Sequence, residues 1–255
     1  MQIIMIAAGR GSRLMPTTAD APKCYAEIQG KSLLDWALSA FDSNGLDRVC
    51  FIGGYQIEKV RRDYPQFDFR HNVDWQNNNI LASLLCAEDL MDEPFICCYS
   101  DILFTPKVIG QLLSSAADIA LGVDTDWLQR YASRFYHPSG DAEKVTVSNG
   151  LVKSIHRNIP EAQAYGEYIG AAKFTPRGAQ AMRELYHRRK QEFEGRPWRE
   201  AKLFEKAYLI HLLQDMIEQG IEMAHVDTHG GYIEVDTQED FEYARHHWRE
   251  RHLER

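Results

Sequence analysis

The chain lacks the features that would place it outside the ordinary globular class. Its longest apolar run, residues 3–8, is far below the roughly 20 residues that a membrane-spanning helix needs, and no basic segment precedes it as in an export signal. Its five cysteines, Cys24, Cys50, Cys86, Cys97 and Cys98, form no CxxC pair, and three of them lie inside apolar runs. Buried, reduced thiols are therefore expected, which fits a cytoplasmic protein and excludes a disulfide scaffold. Basic charge is in deficit: 29 Lys and Arg stand against 37 Asp and Glu, a net −8, so the broad basic face of a nucleic-acid binder is not expected. Repeats, proline-rich linkers and low-complexity tracts are also missing. What remains is a chain of 255 residues, 44% hydrophobic and 26% charged, long enough for one large core. A single domain over 1–255 is expected.

Short apolar runs alternate with amphipathic stretches through the first half, the pattern of βαβ units and a parallel sheet. Residues 2–8 read as a buried strand, 33–41 as a helix, 48–53 as a strand and 80–90 as a helix. Residues 94–99 form a continuous apolar run that ends at Ser100 and Asp101, hence a central strand with a carboxylate at its C-terminal end. Further on, Asn149-Gly150 between two apolar-alternating runs predicts a hairpin, because both residues accept the positive φ of a two-residue turn. Residues 177–191 and 201–219 read as amphipathic helices, and the strand 232–235 ends in a second carboxylate, Asp236. Thr237-Gln238-Glu239-Asp240 then resembles a capping box opening a final helix with a charged, solvated end.

The stretch from Ile6 to Pro16, containing Gly9, Gly11 and Arg13, followed by Pro22-Lys23, carries the clearest chemical signal. Small residues leaving a buried strand let backbone N–H groups close on an anion, and Arg13 and Lys23 add fixed positive charge. Two better-known phosphate loops do not fit. A dinucleotide GxGxxG needs glycine where Leu14 stands, and a P-loop ending at Gly30-Lys31-Ser32 needs glycine where Tyr25 stands.

From Ala7 to Lys23 the chain resembles the signature of sugar-1-phosphate-type nucleotidyltransferases, Ala-Ala-Gly-x-Gly-x-Arg-Leu-x-Pro-x-Thr and then Pro-Lys, with Thr18 matching too. The segments 75–80, Ser83-Leu84 and 166–170 resemble a bacterial subgroup, the CTP:phosphocholine cytidylyltransferase-like proteins. The resemblance implies a three-layer α/β, Rossmann-like nucleotidyltransferase fold with a mixed, mainly parallel sheet and a small acceptor-side lobe, roughly residues 124–175. It implies a Mg²⁺ ion on Asp101 and Asp236, and the residue pattern independently sends both carboxylates to C-terminal strand ends, where open α/β sheets bind ligands. It also implies that Arg13 holds the triphosphate, that Lys23 sits near the α-phosphate or acceptor, and that the base and ribose meet Ala7, Ala8, Gly54, Tyr55, Asn78 and Ser83. CTP is the donor favoured by the subgroup.

For the acceptor, Trp127, Tyr131, Phe135, Tyr136, Tyr165 and Tyr168 are dense around Asp124, Asp126 and Glu167, as in an aromatic cage for a choline-type cation. Glu167 matches the substrate-side Gly-Glu pair of the family. Arg157 stands where sugar-nucleotide relatives have a lysine, so a role on a phosphate does not transfer directly. The expected partners are thus CTP and a small phosphate or phosphonate monoester, with neither nucleic acid nor membrane. Phosphocholine comes first, then aminoethylphosphonate or a sugar 1-phosphate with UTP or TTP; a nucleotide sensor is the non-enzymatic alternative, and the oligomeric state stays open. His225, Asp227 and His229 imitate a zinc spacing but equally describe one solvated strand face.

Overall fold

Strand β1 (Gln2–Ala7) sends Ile3, Met5 and Ala7 to one face of a sheet and Ile4 and Ile6 to the other, and both faces are buried. That double burial is the organising fact of this computed structural model, which describes residues 1–132 and 134–253, with side chains as far as 248. After β1, two 3-10 turns, Ser12–Leu14 and Lys23–Tyr25, lead to a ribbon of β2 (Glu27–Ile28) and β3 (Lys31–Ser32). Then follow α1 (Leu33–Asp42), β4 (Val49–Gly53), α2 (Ile57–Asp63), β5 (Asp68–His71), α3 (Ile80–Leu84) and β6 (Phe95–Tyr99). The second half contains β7 (Ile102–Phe104), α4 (Pro106–Ser114), β8 (Ile119–Asp124), α5 (Trp127–Tyr131), β9 (Lys144–Ser148), β10 (Leu151–Ile155) and β11 (Gly166–Phe174). It closes with α6 (Pro176–Phe193), α7 (Leu209–Glu218), β12 (Ala224–Thr228), β13 (Tyr232–Glu234) and α8 (Gln238–Leu253).

The main sheet has the order β5-β4-β1-β6-β11-β8-β12-β10-β9. Its first four strands are parallel, and β11 runs antiparallel to both β6 and β8. The sheet is therefore mixed, with a parallel block at one side and mostly antiparallel pairings beyond β11. Side chains of α1 and α4, among them Leu34, Phe41, Ile109 and Leu112, cover one face. Those of α3, α6 and α7, among them Leu84, Met182, Leu212 and Leu213, cover the other, which completes three layers. A separate cluster under α8 joins Phe241, Ala244 and Trp248 to Leu14, Ile28, Leu103 and Val235.

Several local expectations change. The expected lobe at 124–175 ends in β11, which lies at the centre of the main sheet. The hairpin forms as its turn requires, with φ 52° at Asn149 and 75° at Gly150. The helix expected over 80–90 stops at Leu84 and continues as a 3-10 stretch with a kink at Ala87. The helix expected over 201–219 starts only at Leu209. Trp198 and Ala201 exchange both backbone hydrogen bonds at 3.0 Å, a turn that buries the apolar residues by another route, and Tyr208 with His211 caps α7.

The ribbon of β7 with β13, not foreseen as a pair, matters most for the site. Its register, Ile102 opposite Glu234, and the hydrogen bond from the Val235 N–H to the Asp101 carbonyl at 2.9 Å bring residue 101 beside residue 236.

Candidate active site

A cavity of about 460 Å³ opens beyond the C-terminal ends of β1 and β6, within the roughly 300–1,000 Å³ usual for small-molecule sites. Its first wall is the loop after β1. Gly11 lies at φ 68°, and a Cβ there would meet the Lys23 side chain at 2.8 Å, so glycine is required both for the turn and for the lysine stem lying across it. Thr18 donates its hydroxyl proton to the Gly11 carbonyl at 2.9 Å and closes the loop, while Leu14 anchors it in the cluster under α8. The fixed positions of the signature are thus structural supports for an arc of backbone, 7–13, that lines the cavity.

At the head of the cavity the Lys23 ammonium donates to Asp101 Oδ2 and to Asp236 Oδ1, each at 2.7 Å. The two carboxylate oxygens can therefore be no further apart than twice that distance. Arg13 reaches Asp236 Oδ2 at 2.5 Å from a largely exposed position. Burial pulls the Lys23 ammonium toward its neutral form, but Asp101 and then Asp236 outweigh it, so its pKa lies above the ordinary lysine value. Asp236 responds in the opposite sense: burial raises it, and Lys23 and Arg13 bring it below the carboxylate range. Its backbone is held from behind, where Asp240 Oδ2 accepts the Asp236 N–H at 3.1 Å and the Thr237 N–H at 2.8 Å. Thr237 Oγ1 in turn accepts the Asp240 N–H, which completes the capping box. His137 Nδ1 meets the same Asp240 carboxylate at 2.9 Å, and Arg134 Nε lies 3.0 Å from its other oxygen.

His137, Glu234 and Asp236 also offer ligand atoms that all lie within 4.8 Å of one another, a cluster not foreseen from the sequence. Glu234 is pushed above the carboxylate range by burial, with His137 opposing and Asp236 reinforcing the shift.

The second wall comes from the segment 137–170 and from Tyr208, the N-cap of α7. Asp141, Glu143, Arg157, Glu167, Tyr168 and Tyr208 line it. Glu167 is fully committed inside the protein: Arg130 pairs with one oxygen and the Tyr131 hydroxyl donates to the other at 2.6 Å. Arg130 also pairs with Asp124, and its side chain is 1% exposed. Arg157 is different, with its guanidinium 4.3 Å from the Tyr208 ring centroid and 3.3 Å from Glu143 Oε1.

Of the residues singled out in the sequence, Ala7, Ala8, Gly9, Gly11, Arg13, Lys23, Asn78, Ser83, Asp101, Arg157, Glu167, Tyr168 and Asp236 line this one cavity. Gly54, Tyr55 and Trp127 do not. Gly54 packs behind the wall, where a Cβ would meet the Ala8 carbonyl at 2.6 Å and the Trp75 ring. Tyr55 donates its N–H to that same carbonyl at 3.0 Å, with its ring beside Trp75 and Arg10. Trp127 packs into a small cluster with Tyr131 and Ala142, because α5 turns its apolar side inward. Phe135 and Tyr136, at 86% and 82% exposure, face solvent, so the expected aromatic cage is not assembled.

Asn78 exchanges two hydrogen bonds, at 2.8 and 2.9 Å, with Asn72, which also donates to Ser83, and Asn79 caps α3 through the Ile80 N–H. The zinc-like spacing is not a cluster either: His225 pairs with Asp227 and His229 with Thr125. Trp75, Tyr99, His137, Glu143, Tyr208 and Glu234 line the cavity without having been foreseen as site residues. Only the tertiary pairings expose them.

Comparison with known proteins identifies the family and the fold. The MobA-like NTP transferase domain family matches residues 3–167. The CTP:phosphoglutamine cytidylyltransferase of Campylobacter jejuni is 29% identical over 95% of this chain and 98% of its own. Among solved structures, the inositol-1-phosphate CTP transferase from T. maritima superposes with a TM-score of 0.73 at 21% identity, covering 95% of this chain and 94% of that one. The CTP:phosphocholine cytidylyltransferase from Streptococcus pneumoniae gives 0.72 at 15% identity, covering 96% and 97%. With the signature loop, the three-layer sheet and this match over most of its length, the chain belongs to the MobA-like NTP transferase domain family and is a nucleotidyltransferase.

Proposed function

We propose that the protein transfers a cytidylyl group from CTP to a small phosphorylated acceptor and releases pyrophosphate. The observation that carries the reading is the Lys23 ammonium held between Asp101 and Asp236 at the head of a cavity walled by the glycine loop. CTP is chosen over other donors because the relative that matches along nearly the full length of both chains is a cytidylyltransferase. An oxygen of the acceptor phosphate attacks the α-phosphorus in line, and the bond to pyrophosphate breaks. The acceptor is already ionised near neutral pH, so positioning and charge neutralisation, not a strong base, carry the rate. In this reading the backbone N–H groups of 8–13 and Arg13 hold the triphosphate, and Lys23 neutralises charge at the reacting phosphorus.

The donor set suits Mg²⁺. Two carboxylates already share one cation, Lys23 Nζ, and Asp101 is open enough to leave room for waters. Asp101 and Asp236 would hold the ion, with the imidazole of His137 a softer donor than magnesium prefers. When bound, it would supply charge neutralisation at the donor and acceptor phosphates.

Phosphocholine no longer leads among acceptors, since of the six rings expected to cage its cation only Tyr168 lines the cavity. A phosphorylated amino-acid derivative takes first place because the relative aligned along nearly the full length of both chains is a CTP:phosphoglutamine cytidylyltransferase. Pyrophosphate release from each NTP with a panel of phosphate monoesters tests the reading. CTP with at least one acceptor is expected to exceed UTP by about a hundredfold in kcat/KM, the upper range for one bidentate pair of hydrogen bonds to a base edge. Release with UTP and glucose 1-phosphate but none with CTP overturns it.

A further inference from the structure

The far end of the cavity holds two opposite charges that are poorly satisfied by each other. Arg157 and Glu143 approach only to 3.3 Å, longer than the roughly 2.7–2.9 Å of a good charge-assisted bond, and Arg157 Nε has no hydrogen-bond partner among the described residues. The second Glu143 oxygen has a 3.4 Å contact with the Tyr99 hydroxyl. The Tyr168 hydroxyl, on a side chain that is 2% exposed and lines the same cavity, has no partner among the described residues either. Polar groups buried in this state are costly unless a ligand completes them. The deeper pair of Arg130 and Glu167 shows what a completed ion cluster looks like in this fold, with both carboxylate oxygens occupied.

We propose that the acceptor carries an amino-acid head, its carboxylate taken by Arg157 and its ammonium by Glu143, with the phosphoryl group directed toward Lys23. This rests on the transfer reading above and names its substrate class. Three features favour a zwitterion. The Tyr208 ring, 4.3 Å from the guanidinium carbon, supports a planar fork that matches two carboxylate oxygens side by side. A zwitterion inserted between Arg157 and Glu143 replaces one loose pair by two and leaves the charge of the pocket unchanged. A trimethylammonium head would pair Glu143 and strand Arg157, whereas a neutral sugar would complete neither. The Tyr168 hydroxyl then has a carboxylate or phosphoryl oxygen to donate to. Glu167, the carboxylate singled out by the family resemblance, has no free oxygen for the ammonium.

Three phosphorylated acceptors test this with the wild-type enzyme, CTP and Mg²⁺: phosphoglutamine, the same compound without its α-carboxylate, and the same compound without its α-amino group. Each deletion is expected to lower kcat/KM by about 30-fold, mostly through KM, as loss of a charge-assisted hydrogen bond does. Arg157→Met should penalise the parent about ten times more than the analogue lacking the carboxylate, and Glu143→Gln the parent more than the analogue lacking the amine. Equal turnover of all three compounds overturns the proposal, as does an Arg157→Met penalty that is uniform across them, which would place Arg157 on the phosphoryl group. Should either variant fail to fold, the wild-type comparison decides alone. Should CTP release no pyrophosphate with any acceptor, the transfer reading fails separately, and calorimetric binding of the same three compounds decides: weaker binding of both analogues upholds the amino-acid head, and equal binding removes it.

Discussion

The two walls of the cavity are built in different ways. The donor wall is one continuous stretch, residues 7–23, in which an arc of backbone lines the cavity around Gly11, Leu14 anchors it in the core, and two side chains, Arg13 and Lys23, reach the carboxylates. The acceptor wall is made of side chains and rests on buried ion clusters. Arg130 reaches Glu167 across 37 positions, and His137 reaches Asp240 across 103. In the proposed transfer the triphosphate is the same for every acceptor, so a rigid backbone cradle would serve it. Acceptors differ, and a wall of charged side chains can be refitted to each. The refitting is not free, because removing one partner of a buried pair leaves the other uncompensated. Specificity and stability should therefore be coupled on the acceptor side and separable on the donor side.

The largest effect expected is on the donor side and should be almost purely kinetic. Lys23→Ala removes the cation between Asp101 and Asp236, and kcat is expected to fall about a thousandfold, the upper range for losing one preorganised electrostatic contact. Thermal melts with Mg²⁺ present should change little, since an added divalent ion can take up the two carboxylates. Wild-type turnover in this variant would remove Lys23 from the chemistry. A large loss of stability would instead break the contrast between the walls.

The converse is expected for Arg130. Its side chain is 1% exposed between Asp124 and Glu167, with its guanidinium 4.8 Å from the Tyr232 ring centroid. Arg130→Met leaves two buried carboxylates without their cation and should cost about 3–5 kcal/mol in denaturant unfolding. Adding Glu167→Gln should return part of that loss, because one of the stranded charges is then gone. CTP binding, read by calorimetry, should persist in whatever fraction folds. A loss below about 1 kcal/mol, ordinary for a surface pair, would mean that the cluster does not hold the wall.

This contrast also explains what the sequence revealed. The donor loop, the strands feeding it and the hairpin at Asn149-Gly150 depend on neighbours in the chain, so composition and spacing expose them. Asp101 and Asp236 could be placed at strand ends, but their adjacency comes from the β7–β13 ribbon, a pairing of residues far apart in sequence. On the acceptor side, runs of aromatic residues suggested a cage. The fold turns Trp127 inward and Phe135 outward, a choice made by α5 packing and not readable from the rings themselves. Tyr208, Glu143 and Tyr99 gave no local signal because each acquires its role from a partner on another element. The same limit applies to the helix expected over 201–219, where apolar residues at helical spacing are buried by turns instead.

The smallest effect concerns the support beneath Arg157. His211 sits in the first turn of α7 with its ring against Tyr208, and its Nδ1 accepts the Tyr208 N–H at 3.3 Å. Burial lowers its pKa from 6.5 to about 4, with Glu200 opposing and the cations Arg199 and Arg157 reinforcing the shift. The native state thus keeps this ring neutral where an unfolded chain would protonate it, so between about pH 6.5 and 4 the unfolded state binds the extra proton and stability falls as pH falls. His137 has the opposite sign. Burial lowers its pKa, but Asp240 and Glu234 outweigh burial and raise it, so its contribution is fully present at low pH and is lost as pH rises through its folded value. The two are separated by a difference experiment. His211→Asn should flatten the decline of unfolding free energy between pH 6.5 and 4 relative to wild type, by at most about 3 kcal/mol over the window. It should leave the region above pH 7 parallel to wild type. Parallel curves throughout would mean that His211 protonates without cost, and that the ring beneath Tyr208 does not tie the acceptor wall to pH.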